Sequence, residues 1–141
     1  MNAIEQAIEK WKLEGVALHS PSEDSVVVTK LSSLGRPISR DVLSLYKATG
    51  GMEDSYSDSH MWSLWSLERV VSETLRYSRP YILFADFAID SHFYCFKYEN
   101  EERSLVGVDY LNGEEPEILA GSVQEFFEIL NQNAARLSMF E

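Results

Sequence analysis

A single cysteine, Cys95, stands among the 141 residues, so no intramolecular disulfide framework can form and a reducing compartment is expected. The amino terminus shows no basic segment ahead of an apolar run, which argues against a secretory signal and for a cytoplasmic protein. No uncharged apolar stretch approaches the roughly 20 residues that a bilayer-spanning helix needs. Positive charge is scarce: 12 Lys and Arg face 23 Asp and Glu, a net charge of −11. Such a field opposes nucleic-acid phosphates and anionic membranes, so neither is expected as a partner. Two stretches, residues 48–68 and 104–135, hold no Lys or Arg at all. No repeat, linker or low-complexity tract divides the chain, and residues 1–141 read as one domain. An apolar content of 45%, with aromatics at 12%, is enough for a packed core.

Helix punctuation dominates the first half. Asn2 with Glu5 forms a capping box ahead of Ile4, Ala7, Ile8 and Trp11, and Gly15 is a stop. The run Val26-Val27-Val28-Thr29 has strand propensity. Ser20 as cap, Pro21 at the first helical position, Glu23 as box partner and Gly35 as stop favour a helix over 22–34, with Val27, Leu31 and Leu34 on one face. Ser39 caps a third helix through Val42, Leu45, Tyr46 and Thr49, which Gly50-Gly51 should close with a left-handed turn. The second half reads as sheet. Met61–Trp65 is a short strand, and Ser66 caps a helix through Leu67, Val70, Val71 and Leu75. Tyr81–Ala85, His92–Tyr98 and Ser104–Tyr110 are strand-like, and His92–Tyr98, apolar on both faces, should be central. Asn112-Gly113 is a hairpin signal, and Pro116 marks the returning Glu117–Ala120 as an edge. Ser122 with Glu125 caps a last helix that buries Val123, Phe126, Phe127 and Leu130. The order predicts an α+β fold, a mostly antiparallel sheet of about four to six strands packed against helices.

Three stretches in that order carry a family resemblance. The first runs from Ser20-Pro21-Ser22-Glu23 through Leu34-Gly35-Arg36-Pro37-Ile38-Ser39 to Leu45-Tyr46-Lys47-Ala48-Thr49-Gly50-Gly51. The second is Leu64-Trp65-Ser66-Leu67-Glu68-Arg69-Val70. The third comprises Ile82-Leu83-Phe84-Ala85-Asp86, Phe93-Tyr94, Val106-Gly107-Val108 and Ser122-Val123-Gln124-Glu125-Phe126-Phe127. The arrangement resembles the Smi–Knr family of the SUKH superfamily, which includes bacterial immunity proteins and fungal cell-wall regulators. Thr49 stands where that family usually has Asn, and Phe87-Ala88-Ile89-Asp90-Ser91 replaces a glycine-bearing loop. The resemblance implies a non-enzymatic, protein-binding domain of the immunity type. Such a domain neutralises a cognate bacterial toxin, and its acidic charge suits a basic one such as a nuclease. The alternative it implies is a regulatory scaffold without a toxin partner.

No catalytic residue, metal or cofactor is expected. Asp58-Ser59-His60 and Asp90-Ser91-His92 repeat a triplet that could supply two imidazoles and two carboxylates to Zn²⁺ or Fe²⁺, but no His-x-x-x-His or Cys-x-x-Cys pair accompanies them. Gly-x-Ser-x-Gly is absent, and the acids of Met52-Glu53-Asp54 after Gly50-Gly51 would repel a phosphate. Cys95, between Tyr94 and Phe96, reads as a buried apolar residue, and Trp62 and Trp65 as core. What remains is acid in turns: Glu53, Asp54 and Asp58, then Asp86 and Asp90, then Glu114, Glu115 and Glu117. These serve either solubility or the capture of a basic protein partner.

Overall fold

Asn2 accepts the Glu5 amide on Oδ1 at 2.9 Å while Glu5 returns a carboxylate to the Asn2 amide, so the expected box opens α1 (Ala3–Leu13). The computed structural model describes residues 2–88 and 91–138. The valine run is helical, in α2 (Asp24–Ser32), which buries Val27 and Leu31. It starts later than Ser20 and Pro21 suggest, with Glu23 at the N-cap and no side-chain cap bond. The cause is tertiary: the His19 amide donates to the Gly51 carbonyl, Gly50 donates back to His19, and Ser22 donates to Tyr46. The segment is thereby held extended against the end of the next helix, where helical turns cannot form.

That next helix is α3 (Arg40–Ala48), preceded by Ser39 at the N-cap position but without a side-chain cap bond. Ser39 Oγ instead meets Asp41 and, at 2.7 Å, the hydroxyl of Ser104. Asp41 is the clip of this region. Its carboxylate accepts the Ser104 amide at 3.2 Å and the Val123 amide at 3.1 Å, joining α3 to a strand start and to a helix N-terminus. Asp41→Ala is expected to destabilise the fold by about 2 kcal/mol, and Asp41→Asn by less, in urea titrations. The expected left-handed helix end is not found at Gly50, because the C-cap Thr49 is extended. Gly51 is the residue at φ +90°, and a Cβ there would sit 2.4 Å from the Trp65 carbonyl oxygen. A Cβ at Gly50 would sit 2.2 Å from the Ser20 carbonyl oxygen, so close backbone approach selects both glycines.

The sheet is antiparallel, in the order β1 (Trp62–Leu64), β2 (Ile82–Phe87), β3 (His92–Tyr98), β4 (Ser104–Asp109), β5 (Glu117–Ala120). His92–Tyr98 is central and Glu117–Ala120 an edge, as expected, but seven residues, 110–116, join β4 to β5 in place of a tight Asn112-Gly113 turn. On one face Trp62, Phe84 and Tyr94 pack against Phe126 and Phe127 of α5 (Val123–Asn133), with Trp11 of α1 stacked on Trp62. Ser122 Oγ caps α5 by accepting the Glu125 amide, whereas the Glu125 carboxylate reaches Gly121 and not Ser122. A short α6 (Ala135–Ser138) follows, without a signal in the sequence.

The other face is covered by α4 (Leu67–Tyr77), which Ser66 caps as expected. Leu75 is exposed and Thr74 buried in its stead. Register slips between Leu83 and Ala85, and Thr74 Oγ1 accepts the Leu83 amide at 3.0 Å beside that slip. The polar residue faces inward because a strand irregularity needs an acceptor there. No helix among the described residues is long and apolar enough to cross a membrane.

Candidate functional site

The loop before β1 is built around Asp58. Its Oδ1 accepts the amides of His60 at 2.8 Å and Trp62 at 3.0 Å, and its Oδ2 accepts Trp11 Nε1 at 3.4 Å. Ser59 donates its amide and hydroxyl to Glu14, the C-cap of α1, and Ala88 donates to the Met61 carbonyl. Ser55 at φ +75° and Met61 at φ +65° adopt left-handed backbone that non-glycine residues rarely take. Strain of that kind persists only where surrounding bonds fix it, and here it presents two large side chains. Tyr56 is 44% exposed and Met61 55%.

Beneath them lies a cleft of about 390 Å³ with Asp54, Ser57, Ser63, Arg69 and Asp86 among its walls. Ser63 pairs with Asp86, Asp86 with Phe93 and Phe93 with Asp109, so these four form one row across the sheet face. Asp86 accepts Trp65 Nε1 at 2.7 Å and lies 3.9 Å from Arg69, whose guanidinium stacks 4.6 Å from the Trp65 ring centroid. Arg69 is therefore committed to the wall, and its charge is met by Asp86. Around the rim, His19, Glu53, Asp54 and Glu68 enclose a second depression. Lys30 hydrogen-bonds Glu68 and holds its carboxyl below the usual carboxylate range.

The eight acids expected at a binding surface divide accordingly. Glu53 and Asp54 are exposed at the cleft. Asp58, 6% exposed, and Asp86, 3% exposed, are corrections to a surface placement: each is buried because it serves indole and amide donors that would otherwise lack acceptors. Asp90 lies outside the described residues. Glu114, Glu115 and Glu117 are exposed on the 110–116 loop and the start of β5. That loop folds back over the α4-covered face, so Glu115 pairs with Lys97 at 2.8 Å and with the Tyr81 hydroxyl. Lys97 first, then Tyr81, holds the Glu115 carboxyl low, while the same bond pushes the Tyr81 phenol up to about 12. Glu117 accepts the Tyr110 hydroxyl at 3.0 Å.

Tyr56, Met61 and Arg69 are absent from the expected set. The base-free segment 48–68 covers this loop, and the sequence reading singled out only its acids. Cys95 is fully buried, and burial pushes its thiol far above the reactive range. Trp62 and Trp65 are both core, as expected, and they lie on opposite sides of the sheet. Among the described residues no group of three or more His, Cys, Asp or Glu side chains converges as metal ligands would. No protein-family model matches the chain, and no curated protein matches it either.

Proposed function

We propose that the chain is a non-enzymatic protein-binding domain that captures a basic partner at the cleft between Tyr56, Met61 and Asp54. The observation that carries this reading is the exposure of an aromatic and a thioether side chain over a cleft with carboxylates in its wall and rim. Tyr and Met are enriched at protein interfaces, and acids at the rim accelerate encounter with a basic surface. The resemblance of the chain to the Smi–Knr family makes an immunity role the specific form of the proposal: the partner is a toxin domain, neutralised in the cytoplasm by direct binding.

The test is association kinetics with the C-terminal domain of a secreted toxin encoded beside this gene. Glu53→Lys with Asp54→Lys should slow association about tenfold or more at low salt and much less at high salt. Unfolding stability should move by no more than about 0.5 kcal/mol, since both side chains are exposed. Glu114→Lys with Glu115→Lys should do less, because Lys97 already offsets Glu115. Unchanged kinetics in the first pair would place the interface elsewhere and leave the charge to solubility.

A further inference from the structure

Ser63 carries a hydroxyl that the fold does not use. The residue is 7% exposed, and among the described residues its Oγ has no hydrogen-bond partner. That oxygen is nevertheless open, not sealed inside the protein. The strand decides what it opens on. Trp62 packs on Phe126 of α5, so alternation turns Ser63 to the opposite face of the sheet. There it pairs in register with Asp86, and both line the cleft of about 390 Å³. A polar side chain at this depth ordinarily has its hydrogen bond made within the protein. At Ser63 the bond is left to whatever enters the cleft.

The charged groups of the cleft divide into spent and free. Arg69 stacks on Trp65, and its charge is met by Asp86, which also accepts Trp65 Nε1. The exposed Asp54 carboxylate has no ion pair or hydrogen bond among the described residues, so the cleft is left with its negative charge. The free groups are thus a hydroxyl acceptor at depth, a carboxylate at the rim, and the exposed Tyr56 ring and Met61 thioether. An entering group that matches all of them has N–H donors, a positive charge and an apolar stem. A guanidinium suits this better than an ammonium. It is planar, stacks on an aromatic ring and spreads five donors over separate acceptors. It is also more weakly hydrated, which lowers the cost of reaching an acceptor as deep as Ser63.

Resting on the reading of this cleft as the capture site for a basic protein, we propose that the partner seats one arginine side chain in it. The guanidinium donates to Ser63 Oγ and is paired with the Asp54 charge, while the stem lies against Tyr56 and Met61. Arginine held in a desolvated pocket is a common source of interface energy. Rim acids set the rate of encounter, and a seated arginine sets the rate of escape.

Nα-acetyl-arginine N-methylamide and its citrulline counterpart are matched probes, since citrulline replaces the guanidinium with a neutral urea of nearly the same shape. Titrated into the ¹⁵N-labelled full chain, the arginine probe should bind saturably, shift the amides of Tyr56 and Ser63, and bind about tenfold more tightly than citrulline. The corresponding lysine probe should bind about threefold more weakly than arginine. In Ser63→Ala the arginine affinity should fall about fivefold, while unfolding stability holds, because the deleted hydroxyl had no partner to lose. Equal affinity for the arginine and citrulline probes, equal affinity for arginine and lysine, shifts confined to other faces, or an arginine affinity unchanged in Ser63→Ala would overturn the proposal. The three probes on the native chain decide the matter even if Ser63→Ala does not fold. The capture reading is judged separately, by the partner's association with the Glu53→Lys, Asp54→Lys chain. Slowed association there without arginine binding here removes the arginine and keeps the capture site. Unchanged association there removes the capture site, and the partner's arginine with it.

Discussion

Replacing Trp62 with alanine is expected to lower the unfolding free energy by about 3–5 kcal/mol. A domain of this size typically has about 5–15 kcal/mol in total, so the variant should lose a third or more of its stability. The effect is large because one ring joins four other elements. Trp62 of β1 stacks on Trp11 of α1 at 5.9 Å and meets Phe84 of β2 at 6.3 Å and Tyr94 of β3 at 6.1 Å. It also meets Phe126 and Phe127 of α5 at 5.6 and 6.0 Å. Alanine leaves a void that these five rings, fixed by their own backbones, close only in part. The check is a urea titration in which the midpoint falls while the slope is kept. A change below about 1 kcal/mol would mean that the cluster repacks freely.

Trp62 also shows how far the sequence carried. Its burial was legible because a tryptophan in a short apolar strand, with helices on both sides in sequence, has few other places to go. The same holds for Phe126 and Phe127, whose spacing from Val123 and Leu130 defines one helical face, and for β3, whose apolar residues on both faces demanded cover on both. Patterns of this kind are local, and local patterns survived. What failed depended on contacts between distant segments. Ser20 and Pro21 are good helix openers in isolation, yet the backbone bonds from His19 and Ser22 to Gly51 and Tyr46 keep them out of α2. Leu75 lost its buried place to Thr74 because of an irregularity in β2, which no residue of α4 announces.

The site followed the same division. Base-free stretches located the acidic loops, and Glu53 and Asp54 lie where turn chemistry suggested. Asp58 and Asp86 carry the same side chain as the exposed Asp54, but each meets an indole N–H brought from α1 or from beyond β1. An acid that satisfies a buried donor and an acid that meets solvent are indistinguishable until the donor is placed. Arg69 was illegible for a related reason: its role depends on stacking over Trp65 beside Asp86, and only the first of these is its neighbour in sequence.

The second large effect expected is at Asp109. Its side chain is fully buried and accepts Arg79 Nε at 2.9 Å, while its Oδ1 accepts the Leu111 amide at 2.9 Å. That hydrogen bond is the main reason the Arg79 guanidinium holds its proton even more tightly than usual. Arg79 in turn donates Nη2 to the Glu114 carbonyl at 3.1 Å, so the pair anchors both ends of the acidic loop to the sheet face. Asp109→Ala leaves a guanidinium, largely buried, and an amide without their acceptor, and truncating one side of such a pair costs about 3–5 kcal/mol. The pair is not thereby worth that much, because most of the loss is the stranded charge. Arg79→Met with Asp109→Leu removes both charges together and should cost clearly less than Asp109→Ala alone, as urea titrations of the three chains would measure. Hydrogen exchange at Leu111 and Glu114 should rise in both variants, since the loop loses its anchor in each. A double variant as unstable as the single one would mean that Asp109 acts through its bond to Leu111 and its shape, with the charge of Arg79 a bystander.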